Sequence, residues 1–304
     1  MSFGLLFSGQ GTQHAQMLPW LDDDGALVQQ TQAALGVSDW RQSLQDSAWA
    51  VRNRNVQVLL TGIGLAAWAQ IERRLPAPAA VAGYSVGELA AFSAAGVFDA
   101  RTALALAAAR AEAMDRCAAH SPGGLLAVTG LGAQAIDSLC AGTEVSVAIR
   151  VAADSVVLGG PPQALRAVET LAAEQGAKCT PLNVGVASHT ASMRRAAQAF
   201  GRTLQSTAVK PPTLALFSNA AAERVRSADD AARALSLQIA QTVQWADCLE
   251  AIHDRRVTCV LEIGPGSALA TIWNRRRLEV PARCADEFRS AQAVADWVLR
   301  YASR

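Results

Sequence analysis

The chain has 304 residues, with 27 Lys and Arg against 26 Asp and Glu, and a formal net charge of +1. Hydrophobic residues make up 51% and charged residues 17%. That excludes a disordered chain and leaves apolar material for one large domain or two modest ones. The near-neutral balance excludes the basic face that broad nucleic-acid binding needs. No run approaches the roughly 18 apolar residues of a membrane span. The start, Met1-Ser2-Phe3-Gly4-Leu5-Leu6-Phe7, lacks a basic region and meets Gly9-Gln10-Gly11 at once. It does not read as a signal peptide, so a cytoplasmic protein is expected.

Phe3 to Phe7 reads as a buried strand leaving into the Ser8-Gly9-Gln10-Gly11 loop. Residues 26 to 75 are largely helical in pattern, with a long apolar helix from Val56 through Trp68 and Ile71, stopped by Pro76 and Pro78. Ala79 to Gly83 is a candidate central parallel strand. Helices are expected over Gly87–Ala95 and Ala100–Ala119. The pattern then becomes strand at Leu125–Thr129, helix at Ala133–Cys140, a strand pair at Val145–Val151 and Ser155–Leu158, helix at Pro162–Gln175 capped by Gly176, and strand at Cys179–Val186. This β-α-β-β-α-β order is the ferredoxin-like unit. Helix follows at Ala191–Leu204, strand at Thr213–Phe217, a helix over Asp229–Ile252 with a break near Thr242, and strand at Val257–Ile263 before Gly264-Pro265-Gly266-Ser267 and a last helix. The expected fold is α/β, a doubly wound, mostly parallel sheet with an inserted ferredoxin-like subdomain. The core would span 1–123 and 189–304, and the small subdomain 124–188.

The six cysteines are scattered, with no C-x-x-C pair, and the histidines are not clustered. Reduced thiols and no metal site are expected. Gly83-Tyr84-Ser85-Val86-Gly87-Glu88 is G-x-S-x-G between a strand and a helix, the setting of a nucleophile elbow. The glycines permit a tight turn, and the helix N-terminus favours negative charge at the site. Without a base, Ser85 is an idle turn residue, because a hydroxyl is a weak nucleophile. Of His14, His120, His189 and His253, His189 ranks first. It follows a strand and precedes a helix, where side chains reach the C-terminal edge of a sheet. The Ser8–Gln13 loop is either an ordinary turn or one wall of an oxyanion hole, with the N–H groups of Gln10 and Val86 as donors. Arg110, in an alanine-rich helix, either lies on the surface or meets a buried anion. Arg275-Arg276-Arg277 reads as a solvated helix end, or as a small patch for coenzyme phosphates or an acidic carrier.

Together these residues resemble the malonyl-CoA:acyl-carrier-protein transacylase family. The shared segments are Gly9-Gln10-Gly11-Thr12-Gln13, the elbow from Gly83 to Glu88, an arginine 25 residues after the serine, Ser188-His189, Thr242-Val243-Gln244-Trp245 and Glu262-Ile263-Gly264-Pro265-Gly266. They run in order from about residue 3 to residue 275. The resemblance implies an α/β-hydrolase-like acyltransferase core, Ser85 as the acylated residue and His189 as general base. It further implies Gln10 and Val86 as oxyanion donors and Arg110 as the partner of the malonyl carboxylate. Gln244 would supply the backbone carbonyl that steers His189. Malonyl-CoA would be the substrate and an acyl carrier protein the partner, with no bound cofactor.

Two positions depart from that pattern. Tyr84 stands where the family usually carries His, and Ser8 where it usually carries Pro. The whole pattern looks most like the malonyl-transfer subunit of bacterial malonate decarboxylase, which serves a carrier with a CoA-like phosphoribosyl-dephospho-CoA arm. Other subunits of that enzyme would then be partners. The alternatives are a transacylase of fatty-acid or polyketide synthesis and, in another class, a serine hydrolase or thioesterase. The expected chemistry is ping-pong acyl transfer through an acyl-serine.

Overall fold

The computed structural model describes residues 2–276 and 279–302. The N-terminal half runs through β1 (Phe3–Phe7), α1 (Ala26–Leu35), α2 (Trp40–Ser43), α3 (Ser47–Ala50), α4 (Asn53–Ile71), β2 (Ala80–Gly83), α5 (Gly87–Ala94) and α6 (Ala100–His120). A middle section follows as β3 (Gly124–Thr129), α7 (Ala133–Cys140), β4 (Ser146–Ala152), β5 (Ser155–Gly160), α8 (Pro162–Glu174) and β6 (Lys178–Leu182). The chain ends through α9 (Arg194–Gln205), β7 (Leu216–Phe217), β8 (Arg224–Val225), α10 (Ala228–Leu237), α11 (Trp245–His253), β9 (Cys259–Ile263), α12 (Ala268–Arg276), β10 (Ala282–Cys284) and α13 (Ala291–Ala302).

The larger sheet has the order β10-β9-β1-β2-β7-β8. Its first five strands are mutually parallel, and only β8 runs antiparallel, at the edge. Strand β1 sits between β2 and β9, so it is buried on both faces. That is why Phe3-Gly4-Leu5-Leu6-Phe7 is a continuous apolar run without alternation. Phe3, Leu5 and Phe7 pack into the core beneath α4, α5, α6 and α13. Leu6 packs into the opposite core with Ala80, Ala82, Ile252 and Trp273. The smaller sheet is antiparallel, in the order β4-β5-β3-β6. Helices α7 and α8 cover one face through Ile136, Leu139, Leu165 and Val168, the β-α-β-β-α-β arrangement expected. Among the described residues no helix is long and apolar enough to cross a membrane.

Several boundaries differ from expectation. The helix expected over Asp229–Ile252 with a break near Thr242 is indeed two helices, but α10 already stops at Leu237, and a turn over residues 238–240 leads into an irregular stretch up to α11. The end of this connection spends its backbone groups elsewhere. Val243 N–H donates to Ala148 O, Arg150 N–H donates to Val243 O, and Gln244 N–H donates to Asn219 O. Val243 thereby forms a parallel bridge with Ile149 of the small sheet. The strand expected at Thr213–Phe217 is regular only over Leu216–Phe217; Ala215 O still accepts from Val81 N–H, but Thr213 N–H donates to Ala95 O instead of to a strand. The strand expected at Cys179–Val186 ends at Leu182. Gly176 has φ +84° and closes α8 one residue past the cap, Gln175. Strands β8 and β10 and helix α13 were not expected.

Candidate active site

The ends of β1, β2 and β9 open side by side at the C-terminal edge of the larger sheet. The elbow leaves β2. A Cβ on Gly83 would collide with Gly87 and Glu88, and a Cβ on Gly87 would collide with the carbonyls of Phe7 and Ser8. Only glycine permits a turn this tight. Ser85 takes φ +54°, a left-handed conformation that costs a non-glycine residue about 1–3 kcal/mol. The strain is held by the Ser85 N–H, which donates to Asn219 Oδ1 at 2.8 Å. The Asn219 amide in turn donates to Gly83 O.

The turn brings Ser85 Oγ to 2.8 Å from His189 Nε2. His189 also has a positive φ, +63°, and its N–H donates to Ile239 O. Its Nδ1 lies 2.5 Å from Gln238 O. A carbonyl only accepts, so the proton sits on Nδ1 and the Nε2 lone pair faces the serine hydroxyl. Burial, reinforced by the Arg110 charge and opposed by the Gln238 carbonyl, pushes His189 down to about 3. The ring is therefore a neutral base at ordinary pH.

Gln244, expected to steer His189, does not. Its N–H donates to Asn219 O at 2.8 Å and its carbonyl accepts from Cys248 N–H at 3.0 Å. Gln238 takes the role because α10 stops at Leu237, which leaves the Gln238 carbonyl at the helix end facing the imidazole. Gln244 instead lines a cleft of about 680 Å³ that reaches His189 and also touches Arg150 and Thr242.

Arg110 is 2% exposed, so it is not a surface arginine. It donates to Gln57 Oε1 at 2.7 Å and to Gln238 Oε1 at 2.9 Å, while its Nε has no partner. Both acceptors are neutral amides. Burial lowers Arg110 to about 10, with Glu88 acting in the opposite direction, so it remains a cation. The same Gln238 amide donates from Nε2 to Ser85 O at 2.9 Å and to Glu88 Oε2 at 2.8 Å. One side chain thus ties Arg110 to the serine backbone. Glu88 is fully buried, and its Oε1 accepts from Asn219 N–H. Desolvation pushes Glu88 up to about 8 against these bonds.

Gln10 lies in the loop after β1, and Val86 at the start of α5. Neither N–H donates to another group among the described residues. The loop is pinned by Thr12 Oγ1, which donates to Pro265 O at 2.9 Å. Tyr84 stacks edge-on against Trp245, with ring centroids 5.1 Å apart. The other histidines lie elsewhere: His14 against Asp286, His120 against its own helix at Arg116 O, and His253 beside Trp273. All six cysteines are free thiols. Of the Arg275-Arg276-Arg277 stretch, Arg275 is exposed at the end of α12 and Arg276 bonds Glu250 at 2.6 Å, while Arg277 lies outside the described residues.

Sequence reasoning missed Gln238, Asn219 and Gln57, and gave Glu88 no role. Glu88 had a signal, as the sixth residue of the elbow motif. Gln238 is one of two polar residues, with Ser236, inside Leu235-Ser236-Leu237-Gln238-Ile239, and a helix running on to Thr242 made it unremarkable.

A family model described as an acyl transferase domain matches residues 5–297. The chain belongs to the acyl transferase family. It is an acyltransferase, and the malonyl CoA-acyl carrier protein transacylase of Mycobacterium bovis is 34% identical over 294 residues, which cover 92% of this chain and 94% of that protein. A malonyl-transacylase solved in complex with its type II PKS acyl-carrier protein has a TM-score of 0.89 and 27% identity to this acyltransferase, covering 97% of this chain and 99% of that one. The malonyl CoA-acyl carrier protein transacylase of Coxiella burnetii shares the fold with a TM-score of 0.91, at 24% identity and over 99% and 98% of the two chains.

Proposed function

We propose that this acyltransferase moves a malonyl group from malonyl-CoA to the thiol of an acyl carrier protein. The observation that carries this reading is the Ser85–His189 pair at 2.8 Å, joined through Gln238 to a buried arginine whose acceptors are all neutral. Ser85 Oγ attacks the thioester carbonyl carbon while its proton passes to His189 Nε2. The N–H groups of Gln10 and Val86 hold the oxyanion. The C–S bond breaks, and the coenzyme thiolate leaves with the proton from His189. The carrier thiol then gives its proton to His189 and attacks malonyl-Ser85, which returns Ser85 to its free form. Arg110 receives the malonyl carboxylate through its unpartnered Nε and the outer faces of its terminal nitrogens. This chemistry calls for no metal or redox cofactor.

Incubation with malonyl-CoA should leave one malonyl group on Ser85, seen by intact-protein mass spectrometry and absent in Ser85→Ala. The adduct should persist in buffer and clear on adding a carrier thiol. Rapid clearance by water alone would support a hydrolase instead.

Tyr84 and Ser8 favour a second, narrower reading, in which the acceptor is the phosphoribosyl-dephospho-CoA arm of a malonate decarboxylase carrier. The relatives above support the broader reading. Transfer rates to that arm and to a fatty-acid carrier arm, measured side by side, decide between them.

A further inference from the structure

The root of the Gln10 loop is held by a buried pair that the transfer chemistry does not use. Ser8 Oγ donates to Glu262 Oε1 at 2.7 Å, and both residues are buried. Glu262 Oε2 accepts from Ala270 N–H at 2.8 Å, in the first turn of α12. Ser8 N–H donates to Ile263 O at 2.9 Å. Ser8 is therefore fastened to β9 by both its backbone and its side chain. On one side Gly264, at φ +142°, packs against the Ser8 hydroxyl so closely that a Cβ would overlap it. On the other side the Ser8 carbonyl presses on Gly87, where a Cβ would again collide. Gly87 directly follows Val86. The next residue along the loop, Gly9, has no room for a Cβ either, because Tyr84 lies 2.7 Å from where it would be.

Ser8 thus stands between the two candidate oxyanion donors. Gln10 is two residues beyond it, and Val86 sits beside the glycine that its carbonyl touches. From this geometry we infer that Ser8 and Glu262 are positioning residues that set the spacing of the Gln10 and Val86 N–H groups, and so act on the acylation step. The inference rests on the acyl-transfer reading above. Neither residue touches the reacting atoms.

The carboxylate form suits the grip, since both Glu262 oxygens accept. Burial pushes Glu262 up to about 7, against the bonds from Ala270 and Ser8 and with a small further push from Glu287. The ionisable groups around it are Cys284, its partner on β10, and Glu287 beyond; Asp286 is bonded to His14, Leu18 and Gly266. Strand β1 contributes none, and the arginines of α12 lie at its far end. The grip should therefore strengthen as pH rises through about 7. His189 cannot supply that limb, because it is held near 3. Burial raises Glu88 too, to about 8, so the Glu262→Gln variant is what assigns the limb.

The test is the single-turnover rate of Ser85 malonylation and the KM for malonyl-CoA in wild type, Ser8→Ala, Glu262→Gln and the double variant. Losing one oxyanion donor costs about 10²–10³-fold. Misplacing one should cost about 10–100-fold in rate, with KM changed less than about 2-fold, since the acyl pocket is untouched. The double variant should be no slower than the slower single one, because the two residues act as one unit. The wild-type rate should show an acid limb near pH 7 that Glu262→Gln abolishes. A Ser8→Ala protein that acylates at the wild-type rate overturns the inference. So does a pH 7 limb that survives Glu262→Gln, which also decides the matter if Ser8→Ala does not fold. If wild type forms no malonyl-serine at all, the acyl-transfer reading itself fails, and that outcome is distinct from either of these.

Discussion

Arg110 shows how burial sets one arginine apart from the rest. A guanidinium in water is common and uninformative, but this one is desolvated and answered only by two amide oxygens. Under the proposed function an incoming carboxylate would complete its hydrogen bonding, whereas an acetyl group would leave it unpaired. Truncating one member of such a pair costs roughly 2–5 kcal/mol, or about 30- to 5,000-fold. Arg110→Ala should therefore lose malonyl transfer and raise the relative use of acetyl-CoA. Arg110→Lys should restore little, because a point charge lacks the planar fork. The measurement is kcat/KM for both thioesters, and an unchanged ratio would remove Arg110 from the acyl pocket. His189 carries a prediction of the opposite kind. From sequence, its titration belongs near ~6.5. Burial beside Arg110 depresses it to about 3, so the neutral form is favoured in the folded protein. The stability this contributes is complete above the unfolded value and is lost as pH falls toward the folded one. An NMR titration of His189 should show no protonation between about pH 8 and 5, and a midpoint near ~6.5 would contradict the burial argument.

At the scale of elements, the elbow works because strand β2 and helix α5 approach β1 more closely than any side chain allows. Gly87→Ala places a methyl against the carbonyls of Phe7 and Ser8. Helix α5 must then move off β1 and carry the Val86 N–H with it. The expected cost is about 1–3 kcal/mol of stability, with an activity loss larger than the drop in folded protein explains. Thermal melts read the first and acylation rates the second; full activity in a folded Gly87→Ala protein would mean that the helix tolerates the shift. The elbow was legible because its two glycines and serine are contiguous. The split between α10 and α11 was legible only as a break near Thr242, five residues after α10 in fact stops. Ile239 to Gln244 has no glycine or proline to mark the earlier end, and the backbone of Val243 and Gln244 is claimed by the small sheet and by Asn219.

Over the whole molecule, the site is assembled from both sheets. The larger one supplies Ser85 and the Gln10 loop. The segment that positions His189 is stitched to the smaller one by the Val243–Ile149 bridge and by Thr242 Oγ1, which donates to Val147 O at 2.7 Å. Val243→Pro removes the N–H that donates to Ala148 O. A lost buried hydrogen bond costs about 1–3 kcal/mol, so the melting temperature should fall by several degrees, at about 2–4 °C per kcal/mol. Because Ile239 and Gln238 hold His189, the acylation rate should fall as well. A lower melting temperature with an unchanged rate would make the bridge purely structural.

The sequence by itself determined whatever is carried by contiguous residues. These are the buried parallel strands, the glycine-bounded elbow with Ser85, the β-α-β-β-α-β order, and His189 at a strand-to-helix junction. Local sterics and hydrophobic period decide such features, and both are written in short stretches of chain. Only the tertiary structure decided that Gln238 rather than Gln244 faces His189, that Asn219 pins the strained serine, and that Arg110 is buried with a free Nε. It also joined Ser8 to Glu262, 254 residues apart in the chain. These are contacts between distant segments, made by polar groups whose partners exist only once the apolar core has closed around them.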